Sequence, residues 1–243
     1  LQFTNRMGER VMVKIKTYEN GLKVIVKEIE YLKSVTMGIM VGIGSAYETP
    51  DENGISHFIE HVNFKGTTTR SSFEISDEVD SIGAQINAFT AKDVTCYYIK
   101  CIDEHTEKSF EILSDIFLNS VYPEDELEKE RTVIQSEIIS SLDDPEEVAM
   151  DAVFSSIWKN NPIALNISGS VSDVESITRE GLFDWYNQFV KSGPLVITIA
   201  GNFNLLLVFD FNLSKKGLPF QSIAFVISRK SEIVYGYSMN FIE

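Results

Sequence analysis

The sequence predicts an α+β fold, a mixed and mostly antiparallel sheet with helices packed on one face. Two observations point there. Short runs with β-branched or alternating residues crowd the first hundred positions, whereas helical periodicity dominates from 104 to 191. An apolar run at 194–200 then adds a buried strand, and strands mixed with consecutive helices indicate one sheet covered on a single side. A chain of 243 residues with 44% hydrophobic content fits one large domain or two small ones, and can bury a sizeable core.

Each element has its own justification. Residues 11–16 and 22–29 read as strands joined through Glu19-Asn20-Gly21, because Asn-Gly supplies the positive φ of a tight hairpin turn. Residues 35–43 form a third, more buried strand that leaves through Gly44. The loop 45–53, with Pro50 and then Gly54, delivers the chain into a helix over about 55–64. Residues 71–82 form an amphipathic helix capped by Ser71 or Ser72. Segments 85–90 and 94–100 make a hairpin. Helices follow at about 104–120, 123–141, 145–159 and 179–191.

The organisation expected is one domain over 1–203 and a separate piece over 204–243. In the latter, Leu205-Leu206-Leu207-Val208-Phe209 is continuously apolar, 224–228 and 232–237 look strand-like, and Lys215-Lys216-Gly217 reads as a solvated turn. This piece is read as the start of a second half, a docking surface or a truncated end.

Charge and cysteines narrow the function classes. A net charge of -15 without a basic patch argues against nucleic acid. No run reaches the eighteen or so apolar residues of a membrane helix, and Leu1-Gln2-Phe3-Thr4-Asn5-Arg6 lacks a signal peptide's apolar core. Cys96 and Cys101 are five apart on one strand, which sends their side chains to opposite faces and disfavours a disulfide. Reduced thiols suit a cytoplasmic protein, with an organelle matrix after trimming of a targeting segment as the alternative.

The chemistry is concentrated in His57-Phe58-Ile59-Glu60-His61. Two of the chain's three histidines fall in this one turn. On a helix, positions i and i+4 share a face, so both imidazoles reach one metal, and Glu60 at i+3 from His57 lies beside it. H-x-x-E-H is the reverse of the H-E-x-x-H zinc-hydrolase order. Catalytic zinc takes three protein ligands and leaves a fourth position for water, so a carboxylate is needed elsewhere. Glu137 is the best candidate: its segment continues a helical pattern from about 123, in which Leu127, Val133, Ile134 and Ile138 form an apolar stripe. Glu130 lies two turns earlier on nearly the same face and would support the site from behind the ligands. Zinc lowers the pKa of its water from 15.7 to roughly 7, and Glu60 would take the proton and pass it to a leaving amine. Helical histidines also occur as plain surface or core residues; the complete pattern with a suitable third carboxylate favours the metal.

These residues resemble the zinc peptidases of the pitrilysin and mitochondrial processing peptidase type. His57-Phe58-Ile59-Glu60-His61 followed by Phe64-Lys65-Gly66-Thr67 looks like that family's H-F-x-E-H-x-x-F-K-G-T signature. Gly83-Ala84-Gln85-Ile86-Asn87-Ala88-Phe89-Thr90 is similar to its substrate-edge strand, and Val196 to Asn202 to the strand near the end of its first repeat. The likeness covers roughly residues 15 to 203. It implies His57, His61 and Glu137 as zinc ligands, Glu60 as general base, Glu130 as supporting glutamate, and Asn87 and Ala88 as an edge where a peptide adds itself as a strand. It also implies two similar halves closing round a chamber, whereas 243 residues accommodate one half and a short extra piece, with no second H-x-x-E-H. The expected function is zinc-dependent endopeptidase action on extended peptides, with a second half, a homologous subunit or a second copy as partner. The alternative is a non-catalytic subunit that binds peptides or assembles with a catalytic partner.

Overall fold

Alternation of buried and exposed residues builds the sheet. The computed structural model describes residues 2–4, 10–18 and 20–203, with side chains from residue 13 onward. In chain order the strands and α-helices are β1 (Gln2–Thr4), β2 (Arg10–Met12), β3 (Lys14–Thr17), β4 (Lys23–Glu28), β5 (Ser34–Val41), α1 (Ile55–Val62), α2 (Ser72–Ser81), β6 (Gln85–Thr90), β7 (Thr95–Ile102), α3 (Thr106–Asn119), α4 (Glu124–Ser141), α5 (Pro145–Ile157), α6 (Val171–Ser176), α7 (Arg179–Trp185) and β8 (Leu195–Gly201). Strands β3 to β8 form one sheet in the order β3-β4-β8-β5-β7-β6, while β1 and β2 pair as a separate ribbon. Only the β4–β8 neighbours in that six-stranded sheet run parallel.

Register aligns the apolar positions into rows. Val24, Ile197, Ile39, Tyr97 and Ala88 lie side by side across five strands, and all five are buried. The next row is Val26, Ile199, Met37, Ile99 and Ile86. Helix α3 packs on this face, with the Phe117 ring 5.8 Å from Tyr97. Residues one step out of phase (Thr36, Lys100, Ala200, Gln85) are exposed on the opposite face. Each Val, Ile or Met side chain buried in such rows contributes about 1.5–3 kcal/mol. Cys96 and Cys101 are both free and buried, on opposite faces of β7.

Several boundaries differ from the expectation. The single strand over 11–16 is two strands, broken at Val13, because β2 finds β1 and β3 finds β4. The helix over 179–191 is α-helical only to Trp185, after which Tyr186–Val190 widens into a π-turn. Helix α6 falls in a segment where no helix is expected. On α4 the buried stripe is Leu127, Glu130, Ile134 and Ile138, whereas Val133 is 43% exposed. Val133 thus leaves the stripe and Glu130 takes a place in it. The strand-like runs expected in 204–243 fall outside the described residues. No helix among the described residues is long and apolar enough to cross a membrane.

Candidate metal centre

Helix α1 owes its orientation to its apolar positions. Ile55, Phe58, Ile59 and Val62 recur at i, i+3, i+4 and i+7 and are buried, which turns His57, Glu60 and His61 to the other side. The helix starts from Gly54, whose φ of +88° is left-handed, and an added Cβ there would lie 2.7 Å from the Ser168 carbonyl oxygen. Glu48 caps this start: its Oε2 accepts the Gly54 N–H at 2.8 Å and its Oε1 the Ser56 N–H at 2.9 Å. A carboxylate here satisfies amides that the helix itself leaves unpaired. Burial pushes the Glu48 carboxyl up to about 7, against the pull of these hydrogen bonds.

Helix α4 runs beside α1 and brings the other carboxylates. Arg131 holds it there, placing its guanidinium 5.1 Å from the centre of the Phe58 ring while donating to the Ile177 carbonyl at 2.9 Å. Glu130 Oε2 is 3.1 Å from His61 Nδ1, and its Oε1 is 2.6 Å from Lys65 Nζ. An Nδ1–H donated to Glu130 fixes the tautomer of His61 and leaves Nε2 as a lone-pair donor. That Nε2 lies 3.4 Å from Glu137 Oε2. One ligand atom each from His57, His61 and Glu137 lies within 4.8 Å of the others.

This donor set fits zinc. Bonds of about 2.0–2.2 Å in a tetrahedron require donors about 3.4 Å apart, which the His61–Glu137 pair already satisfies. The His57 Nδ1 is buried with no hydrogen-bond partner, and the His57 and His61 rings meet edge-on at 4.7 Å. Burial, then repulsion from His61, lowers the His57 pKa to about 4, so the ring is a neutral donor at physiological pH. Glu137 is half exposed, which leaves an approach to the site from solvent.

Glu60 stands beside this cluster. Burial raises its pKa, opposed by a hydrogen bond from Thr90, whose hydroxyl donates to Glu60 Oε2 at 2.6 Å. Thr90 ends β6, the outermost strand on one side of the sheet. On that edge Asn87 is exposed and Ala88 buried, and Asn87 Oδ1 accepts the Ala88 N–H at 2.8 Å. A groove of about 760 Å³ opens next to the cluster, lined among others by His57, Val133, Ser136, Glu137, Asp144 and Glu147.

The predicted site residues His57, Glu60, His61, Glu130 and Glu137 therefore come together, and Asn87 and Ala88 lie on the strand that reaches them. Glu48 carries no spacing that marks it in the sequence, and Lys65 and Thr90, though they stand in the segments that carry the family resemblance, have no role assigned by it. What points to a role is position: Glu48 precedes the helix start, Lys65 follows its end, and Thr90 closes the edge strand.

Residues 23–171 match the family described as Insulinase (Peptidase family M16), and the chain belongs to that family. An uncharacterized zinc protease of Bacillus subtilis is 38% identical over 191 residues, covering 79% of this chain and 47% of the relative. The mitochondrial-processing peptidase subunit beta of Caenorhabditis elegans is 35% identical over 190 residues, covering 78% and 41%. The chain thus spans about half the length of the curated relatives it matches. Among solved structures, a protease from Helicobacter pylori aligns with a TM-score of 0.77 at 24% identity, over 88% of this chain and 54% of that one. An M16 inactive domain from Pseudomonas fluorescens aligns at 0.73 and 16% identity, over 80% and 47%. Both structures share the fold.

Proposed function

We propose that this chain is the catalytic half of a zinc-dependent endopeptidase that hydrolyses extended peptides. The convergence of His57, His61 and Glu137 donor atoms within 4.8 Å, with Glu60 alongside, carries this reading. His57, His61 and Glu137 would hold the ion, with Glu130 fixing the His61 ring from behind. When bound, zinc supplies Lewis acidity, lowering the pKa of a water toward roughly 7 and polarising the scissile carbonyl. Glu60 accepts the proton of the attacking water and delivers it to the departing amine. Its raised pKa suits both duties, since a base must also give the proton up. Asn87 and Ala88, on the open edge of β6, would receive the substrate as an added strand through backbone hydrogen bonds. Its partner would be a second half, a homologous subunit or another copy of the chain, a reading supported by its half-length match to the relatives.

Purified protein should carry about one zinc per chain. Glu60→Gln should keep that zinc while cleavage of an unfolded peptide, assayed with a candidate second half present, falls by about 10²–10⁴-fold. Undiminished cleavage by this variant would reject Glu60 as base. A second reading, a non-catalytic peptide-binding subunit, is favoured by the likeness to an inactive M16 domain. Zinc binding without any cleavage in the wild type, with the second half supplied, would select it.

A further inference from the structure

We propose that Thr90 is the positioning residue for the general base, fixing the Glu60 carboxylate and tying it to the strand on which a peptide would lie. The inference rests on reading Glu60 as the base. Among the described residues Thr90 is the donor this carboxylate has: its hydroxyl reaches Oε2 at 2.6 Å, and its backbone also faces the group. An O–H to carboxylate bond of that length is of the strong, charge-assisted kind. It occupies one oxygen and leaves Oε1 to accept a proton. Without it, a glutamate with three rotatable side-chain bonds keeps only the Thr90 backbone to hold it near the reacting atoms.

Thr90 is itself held firmly. Its neighbour across the hairpin is Thr95, which is buried and donates to the Ile43 carbonyl at 3.0 Å. The Ala91 N–H closes the turn onto the Val94 carbonyl, and the Ser45 and Ala46 N–H groups bind the Ala91 and Lys92 carbonyls. The turn after Thr90 is thus locked to the loop that leads into α1. A β-branched side chain adds its own restriction at χ1.

The strand geometry supplies the coupling. Along one strand of an antiparallel pair, alternate N–H groups point the same way. The Ala88 N–H turns to its own Asn87 side chain, and two residues on, the Thr90 backbone faces Glu60. A peptide pairing with the edge at Ala88 would therefore end its ladder where the base begins. Recognition of the main chain and placement of the proton acceptor share one strand.

Three variants test this in the zinc-loaded protein, with its second half present where cleavage requires one. Thr90→Val keeps the shape and removes the donor, and kcat should fall about 10- to 100-fold with KM and zinc content unchanged. Thr90→Ser restores the hydroxyl and should return kcat to within about threefold of wild type. Thr90→Ala should lose as much as the valine variant, which guards against a packing fault in either. A second readout needs neither metal nor turnover: the ¹³C resonance of the Glu60 side-chain carboxyl, identified by its loss in Glu60→Gln, should move in Thr90→Val and return in Thr90→Ser. Unchanged kcat and an unmoved resonance in the valine variant overturn the proposal, as does an equal loss in serine and valine, or a rise in KM at constant kcat. Failure of the base assignment itself has a separate sign, wild-type cleavage by Glu60→Gln.

Discussion

Glu48 is 1% exposed and accepts two N–H groups at the start of α1, yet burial holds its carboxyl near 7 instead of the ordinary 4.5. The folded chain therefore binds this proton more tightly than the unfolded one. The resulting stabilisation is complete below pH 4.5 and is lost as pH rises through about 7. That step corresponds to about 3 kcal/mol. In Glu48→Gln this pH-dependent component should vanish, so that the variant's stability stays level across the window, about 1–3 kcal/mol below the wild type at pH 4.5 because an amide cannot accept both N–H groups. Denaturant unfolding of both proteins between pH 4.5 and 7.5 checks it; parallel curves would assign the slope to another group. His57, Glu60, His61 and Glu137 could be read from the sequence because helical spacing and zinc chemistry dictate their residue types. Glu48 and Thr90 could not, since each acts through a contact between segments whose approach is set by the whole fold.

Helix α1 shows what an element adds to its residues. Its apolar stripe fixes rotation about the axis, while Gly54 and the close approach of Ser168 fix where the helix starts. Gly54→Ala places a side chain in a left-handed conformation and against that carbonyl, at a cost of about 1–3 kcal/mol or more. The helix start must shift to relieve the clash, so zinc affinity should weaken along with stability. Zinc titration of the alanine variant, set beside its thermal melt, tests both; an unaltered affinity would mean that α1 is oriented by its apolar face alone. Long periodic elements such as α4 and α5 begin and end close to where their patterns predict, because their own side chains decide them. The break at Val13 depends on which partner each half finds, and the π-turn at Tyr186–Val190 accompanies a Tyr186 hydroxyl donated to the distant Phe117 carbonyl. Helix α6, of 6 residues, is too short for periodicity, although its Ser170–Asp173 capping box is a local sign of a helix start.

Across the whole molecule the candidate centre joins α1 to α4, two helices separated in sequence by α2, the β6–β7 hairpin and α3. The α+β class follows from the order of element types, but the placement of β8 between β4 and β5 does not, because pairing across some 170 residues leaves no local trace. A ligand set assembled from such distant segments exists only in the folded state, so an ion held by it should stabilise the fold as a unit. At zinc a hundredfold above its dissociation constant the gain is about 2.7 kcal/mol, or a rise in Tm of roughly 5–10 °C for a domain of this size. Glu137→Gln should abolish most of that rise by removing the ligand from α4, and His61→Ala should abolish it from α1. Thr90→Val should keep it whole, since Thr90 acts on the base and not on the ion. A zinc-dependent shift that survives loss of Glu137 would place the metal elsewhere on the protein and break the link between the two helices on which the catalytic reading stands.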